Sequence, residues 1–580
     1  MATDEEHCIT GAAAALHALR NADVRVVFGI PGRAILPLYH TLGDFPEVHH
    51  ILTRHEQGAG HAASGYAQAT GRLGVCLSTS GPGATNLVTA LMDAQKDSVP
   101  VLAITGQVES DQLGTGAFQE ADICSVVSSV TKYSVEVTRA ADVFPAVTEA
   151  ASRAMSRRPG SVLVSITMDA LNGRTPAPGG GPEAADPPTP EPVRIEQAVA
   201  ALLDARRPVL YAGGGVVRGE AAGPMRELAE EIGVPVVTTL MARGALPDSH
   251  RLGFGMPGMY GTIAATAALQ NADLILAVGA RFDSRVTGKL DTFAPEARVV
   301  HIDIDDGEIA SRRHADIAVN THCRPALTMM RDQVREALER GQHRRPDLSS
   351  WWDTLDDWRS RHEPGHGEEA DGALDPRYAV ERLGSLTAGP NTLYTAGVGQ
   401  HQVWAAKHIR YERPRALITT CGAGTMGYAV PAAMGVQVAH PDAEVWAIDG
   451  DGSFQMMCQE LATCVQARLP IKVAVINNAM LGMVRQWQDL WYSHDDKETD
   501  LSDHEAAGSP DISALARAYG CAAFRCADPG EVDRTVMQAS AVRDRPVVVE
   551  FLVSKTARTY PLAPPHAPVP DLLPDFDGID

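Results

Sequence analysis

The run AIDGDGSFQMMCQELATCVQARLPIKVAVINNAMLG, residues 447–482, carries the densest chemical pattern in the chain. A β-branched run ends in Gly450-Asp451-Gly452, a helix-favouring stretch follows, and a second β-branched run ends in Asn477-Asn478. In a βαβ unit both strands deliver their C-terminal ends to one edge of the sheet, the edge at which open α/β folds bind ligands. Asp451 and Asn478 should therefore meet. A carboxylate, an amide oxygen and a nearby backbone carbonyl such as that of Met480 form a hard-oxygen half-shell suited to Mg²⁺, whose octahedron would be completed by phosphate oxygens from a ligand. Gly450 and Gly452 let the backbone come close to a diphosphate. Asp-Gly and Asn-Asn are also common turn residues. The order strand, GDG, helix, strand, NN is what lifts the pattern above two ordinary turns.

A second candidate is Glu56, which opens RHEQGAGHAASGYAQATG, residues 54–71, where small side chains dominate. Alone, a Glu reads as a solvated surface group. Set in a run of small residues, its proton site would be weakly solvated, which can raise a carboxyl pKa.

The elements that must position these groups alternate short β-branched runs with Ala-rich stretches. VRVVFGI, GVCLSTS, PVLAITG and SVLVSIT look like buried parallel strands; PVLYAGG, PVVTT, LILAVGA and VVHIDI form a second set; NTLYTA, EVWAIDG, IKVAVIN and PVVVEFL form a third. An α/β protein with three doubly wound parallel-sheet units follows. The Pro- and Gly-rich stretch 173–194 reads as a linker unable to hold a helix or a strand ladder, and 340–375 as a weaker one. The chain thus parses as 1–172, 193–338 and 376–556, with a Pro-rich tail 557–580.

With 580 residues, 44% hydrophobic and 21% charged, the chain is globular and long enough for several cores. A net charge of −22 excludes nucleic acid and anionic membrane surfaces as expected partners, because both are polyanions. The acidic start MATDEEHCIT lacks the features of a secretory signal, and no apolar run nears the ~18 residues of a membrane span. Nine scattered cysteines without a CxxC pair suit a reducing compartment. A cytoplasmic location is expected.

The stretches STSGPGATNLVTALMDAQKDSVPVLAITGQ, GTGAFQE, GARFDSRVTGKLDTFAP, VVHIDID, GTMGYAVPAAMG and LGMVRQWQD, together with the two motifs above, make the chain resemble the large catalytic subunits of the acetolactate synthase family. That resemblance implies a thiamine diphosphate (ThDP) and Mg²⁺-dependent carboligase. It would decarboxylate pyruvate and add the hydroxyethyl carbanion to a second 2-oxoacid, giving 2-acetolactate or 2-aceto-2-hydroxybutyrate. The three units become a pyrimidine-binding domain, a central FAD-binding-like domain and a diphosphate- and Mg-binding domain. Glu56 would bond N1′ of the aminopyrimidine and drive formation of the ylide, and Gln119 would reach the reacting carbons.

By the same resemblance Gly424 and Met426 hold the pyrimidine, with Met426 propping the bent cofactor. Gly450, Asp451, Gly452 and Ser453 hold the diphosphate, and Asp451, Asn478 and Met480 the metal. Arg285 would bind the acceptor's carboxylate and Trp487 would shape the pocket for its alkyl group. Arg158, Thr239, Leu240, Gly279, Arg281, Asp283, Asp303, Ile304 and Glu308 fall on positions that hold a structural FAD. The resemblance also implies a homodimer or homotetramer with active sites between subunits, and a small regulatory subunit.

Several positions depart from the family pattern. Arg33 stands for a glycine in IPGRA, Glu109-Ser110-Asp111 follow GQV, Met168 replaces a channel lysine, Ser284 replaces an Asp, and His322-Cys323 replace Gly-Asp. The departures redraw the charge at the expected entrance and leave open a related acyloin-forming carboligase with a different, anionic donor or acceptor. Arg33 is expected to bind a carboxylate or phosphate of either substrate, a geometry suited to a guanidinium.

Overall fold

Runs of Val, Ile and Leu buried along their whole length become central strands, as in Gly74–Ser78, Val101–Gln107 and Ser161–Thr167. The computed structural model describes residues 8–177, 188–361, 372–492, 498–502, 510–560 and 567–568. Its strands form three large sheets whose pairings are all parallel, and a fourth, two-stranded antiparallel ladder.

The first sheet runs His49–Leu52, Val26–Gly29, Gly74–Ser78, Val101–Gln107, Ser161–Thr167, Tyr133–Val137, an order of 2-1-3-4-6-5 when strands are numbered along the chain within the unit. The third runs Leu417–Thr419, Thr392–Ala396, Glu444–Gly450, Lys472–Asn477, Val547–Leu552, Ala522–Cys526, which is the same 2-1-3-4-6-5. The middle sheet, Val236–Thr238, Pro208–Ala212, Leu274–Val278, Arg298–Asp303, Ile317–Asn320, follows 2-1-3-4-5.

The first and third units share one hydrophobic cluster, which includes Ala62, Ala63, Tyr66, Tyr428, Ala432, Met434 and Leu461. Its centre is the packing of helix Glu56–Thr70 on helix Ala429–Ala439, topological equivalents that each follow the second strand of their unit. Gly65 lies so close to the Ala432 backbone, and Gly435 to that of Ala62, that neither site has room for a Cβ. Gln68 donates to the Tyr428 hydroxyl at 2.7 Å. Residues that rise along one helix meet residues that fall along the other, so the pair is antiparallel. The small side chains of the Glu56 run exist for this contact. The middle unit keeps two clusters of its own, one on each face of its sheet.

Two linker expectations need correction. Within 173–194, Arg174–Pro176 is a strand paired antiparallel with Cys8–Thr10, and Pro192 begins the helix Pro192–Asp204. A short edge ladder tolerates the terminal Pro176, and proline suits the first helical position. Within 340–375, Ser349–Arg361 is a helix held by buried Trp351, whose indole N–H donates to Pro208 O at 3.3 Å. Of these stretches, 178–187 and 362–371 lie outside the described residues, as does most of the tail. Among the described residues no helix is long and apolar enough to cross a membrane.

Candidate active site

At the C-terminal edge of the first sheet, Glu56 is the first residue of its helix, entered through His55, whose ring accepts from Gln57 N at 3.1 Å. Glu56 Oε2 accepts from Asn86 Nδ2 at 2.9 Å. The turn Thr79–Gly83 lies beside it, where a Cβ on Gly83 would stand 3.3 Å from Glu56 Oε1. The Thr79 side chain fills the gap between Gly83 and Gly32. Arg33 follows Gly32 on a 3₁₀ turn, exposed, with the neighbouring Ala34 N–H donating to Thr79 Oγ1 at 3.3 Å. Gln119 packs its backbone on Gly81 and holds a φ of 61°, an uncommon conformation for a side chain of its type. Glu56, Arg33 and Gln119 thus share one edge. Ser110, one of the departures, donates through Oγ to Asp169 at 2.6 Å, next to Met168.

The corresponding edge of the third sheet is buried and polar. Asp451 is 1% exposed, its Oδ2 has no hydrogen-bond partner among the described residues, and burial pushes its carboxyl up to about 7. Asn478 Oδ1 accepts from Met480 N at 3.2 Å and the Asn478 backbone N–H faces the Asp451 carboxylate, so the three expected metal groups stand together. An unpartnered buried carboxylate oxygen beside an amide and a carbonyl fits a small divalent cation that keeps positions open for phosphate. Among the described residues no three His, Cys, Asp or Glu side chains cluster to hold an ion, in keeping with such a sparse donor set.

Gly450 and Gly452 serve neighbours on the protein itself: a Cβ on Gly450 would meet the His401 ring, and one on Gly452 would meet Leu481, Leu501 and, at 3.7 Å, Met426 Cε. Ser453 Oγ accepts from Gly427 N at 2.9 Å and ties the Gly424–Met426 turn to this loop. Gly424 has a φ of 67° in an open place, with only Val398 near a would-be Cβ.

Several groups escape a reading of sequence alone. His401 is fully enclosed, burial pulls its imidazole down to about 3, and its neutral Nε2 lies 3.4 Å from Asp449 Oδ1. Gln400 accepts from Asn478 Nδ2 at 3.4 Å and donates to Gln486 Oε1 at 2.9 Å. Asp93 Oδ1 accepts from the hydroxyls of Thr420 and Thr425, and Asp97 accepts from Cys421 N at 2.8 Å and Gly422 N at 2.7 Å. These two carboxylates, Asp93 in helix Val88–Lys96 and Asp97 at its C-cap, hold the loop that carries Gly424 and Met426. Burial, with the Asp93 charge adding, pushes Asp97 up to about 6. An acidic pair spaced i, i+4 beside an otherwise apolar helix face was the available signal.

A cavity of about 1530 Å³ extends from Met426 through the middle unit. All nine residues expected at FAD line it, as do Gly424, Met426, Arg285 and Trp487, whereas Glu56, Gln119 and Arg33 do not. At its floor Gly213, Gly215 and Gly279 meet backbone to backbone, which clears the space above them. Arg158 bridges Asp305 and Glu308, each at 3.1 Å, and donates to Ser98 Oγ at 2.8 Å. Asp303, pushed up to about 6 by burial, accepts from Asp305 N at 2.9 Å. His322 and Cys323 also line the cavity. Its length and glycine floor fit an extended dinucleotide.

The Glu56 edge and the Met426 edge lie at opposite ends of the antiparallel helix pair. Glu56 stands twelve residues from Gln68, the partner of Tyr428, or roughly 18 Å along the helix axis.

Three family descriptions match this chain: the thiamine pyrophosphate enzyme N-terminal TPP binding domain over 9–126, the central domain over 195–330, and the C-terminal TPP binding domain over 397–551. The chain is 51% identical over 565 residues to acetolactate synthase of Mycobacterium bovis, covering 96% of this chain and 90% of that one. The chain belongs to the acetolactate synthase family. It is 46% identical over 584 residues to the large subunit from Corynebacterium glutamicum (98% and 92% covered) and 40% over 577 to the chloroplastic acetolactate synthase 1 of Zea mays (98% and 89%). As a member of the acetolactate synthase family it is a ThDP-dependent enzyme built from the three domains of that group.

Proposed function

We propose that this chain forms 2-acetolactate from two pyruvates, and 2-aceto-2-hydroxybutyrate when 2-oxobutyrate is the acceptor. The observation that carries the reading is the buried, cation-ready set of Asp451, Asn478 and the Met480 carbonyl, joined through Met426 to a cavity that holds Arg285 and Trp487. Bound there, ThDP supplies the carbon nucleophile that no amino acid side chain can.

The chain's own groups do the rest. Asp451, Asn478 and the Met480 carbonyl would hold Mg²⁺, which would neutralise the charge of the diphosphate. Gly450, Gly452 and Ser453 shape that loop, and Gly424 and Met426 seat the pyrimidine. Glu56, steadied by Asn86, holds or moves a proton at a ring nitrogen. Gln119 faces the reacting carbons, Arg285 takes the acceptor's carboxylate, Trp487 limits its alkyl group, and Arg33 offers a second anion contact at the entrance. FAD rests on Arg158, Thr239, Leu240, Gly279, Arg281, Asp283, Asp303, Ile304 and Glu308 as a structural group. The unit boundaries 1–172, 193–338 and 376–556 are supported by the three family matches, each of which falls inside one of them.

The separation of Glu56 from Met426 supports a dimer or tetramer in which Glu56 of one copy serves the Asp451 site of another. Relatives named as large subunits support a small regulatory partner. Product analysis tests the reading. Purified chain given pyruvate, ThDP and Mg²⁺ should release 2-acetolactate and carbon dioxide, and no acetolactate under any cofactor supply would overturn it.

A further inference from the structure

Arg285 emerges from the short helix Ser284–Thr287, and its backbone supports the turn Met256–Thr262. Met259 N donates to Arg285 O at 2.8 Å, and Gly258, with a φ of 96°, leaves no room there for a side chain. This turn carries Tyr260 to the Arg285 guanidinium. Arg285 Nη1 donates to the Tyr260 hydroxyl at 3.1 Å, and the guanidinium carbon stands 5.7 Å from the ring centroid. Burial holds the Tyr260 phenol above its ordinary value against the Arg285 charge, and the Trp487 indole N–H, which has no hydrogen-bond partner among the described residues, lies close to the same oxygen. Tyr260, Arg285 and Trp487 all line the large cavity.

Arg285 Nη1 donates to the phenol oxygen and the Trp487 indole N–H faces it without a bond of its own, so the hydrogen Tyr260 has left to offer is its own O–H. Arg285 lines the cavity, and with Nη1 held by Tyr260 its remaining N–H groups are available to grip a carboxylate by two parallel bonds. We propose that Tyr260 is a positioning and specificity residue for the acceptor 2-oxoacid: its oxygen orients Arg285 and Trp487 together, and its O–H donates to the carboxylate that Arg285 binds. This rests on the acetolactate reading above, because it needs a second 2-oxoacid to seat.

The test is Tyr260→Phe, which keeps the ring and its packing, assayed with saturating ThDP, Mg²⁺ and FAD while 2-oxobutyrate competes with pyruvate. We expect the KM for the acceptor to rise about five- to tenfold with kcat changed less than about twofold, since one charge-assisted contact and its alignment are lost. In an Arg285→Gln background the same change should add almost nothing, because the two side chains act as a unit. A fall in kcat at unchanged KM, or full additivity in the double variant, overturns the inference. If the wild-type chain makes acetolactate and Tyr260→Phe matches it in acceptor KM and product ratio, the inference fails and the function stands. If the wild-type chain makes none, the function fails and the inference falls with it.

Discussion

The first and third units share one strand order and use it for opposite purposes. In the first, the edge beyond strands one and three is open, with Arg33 exposed, Glu56 held by Asn86, and Thr79 as spacer. In the third, the same edge is closed and dense, with Asp449, Asp451 and His401 buried and oxygens left unpartnered. The helices after the second strand of each unit pack antiparallel, so the corresponding edges face away from each other within one chain. The buried edge carries the groups proposed to hold Mg²⁺ and the diphosphate. The open edge has a reactive group and no ligand-binding wall of its own, which points to a wall supplied by another copy.

Glu56→Gln strikes the open edge. We expect turnover to fall about 10²–10⁴-fold with ThDP still bound, measured as kcat beside cofactor titration; near-normal turnover would remove Glu56 from the chemistry. Asp451→Ala strikes the closed edge, and ThDP retention should drop in a Mg²⁺-dependent way. Mixing the two dead proteins under subunit exchange should restore roughly a quarter of wild-type activity, the share of intact sites in an equimolar dimer mixture. No recovery, or a fully active monomer in sedimentation, breaks the comparison.

Arg33→Gly should alter the ratio of kcat/KM for competing acceptors by about tenfold, from loss of a charged contact; an unchanged ratio makes Arg33 a bystander. The smallest effect belongs to Asp97, which clamps the loop joining the two units. Its carboxyl sits above its ordinary 3.8, at about 6, so the folded chain holds that proton more tightly than the unfolded one. The resulting stability is complete below the ordinary value and is lost as pH climbs through 6. Asp97→Asn should flatten that decline in melting curves taken from about pH 4 to 7.

Central strands were legible because both faces are buried and their sequences are continuously apolar. The strands that escaped, His49–Leu52, Tyr133–Val137, Ile317–Asn320, Leu417–Thr419 and Ala522–Cys526, are sheet edges, and Ile317–Asn320 alternates buried and exposed. An edge strand borrows its conformation from one neighbour and needs no apolar signature. Asp451 and Asn478 were legible because one βαβ unit delivers both. Asp93 and Thr420 are separated by 327 positions, and the spacing of residues along a chain carries no information about a contact between units. Gly450 and Gly452 were legible as positions that a backbone approach requires, and the space a Cβ would need is also taken by the His401 ring and by Leu481 and Leu501.

The shared cluster of the first and third units also has a thermodynamic meaning. Helices that touch through Gly65 and Gly435 cannot part without exposing the cores of both sheets at once, so these two units melt as a single cooperative block. The middle unit, with separate cores on its two faces, forms a second block that can open while the first stays folded. Heat or denaturant therefore meets two bodies rather than three, and a ligand in the large cavity, which residues of all three units line, steadies both.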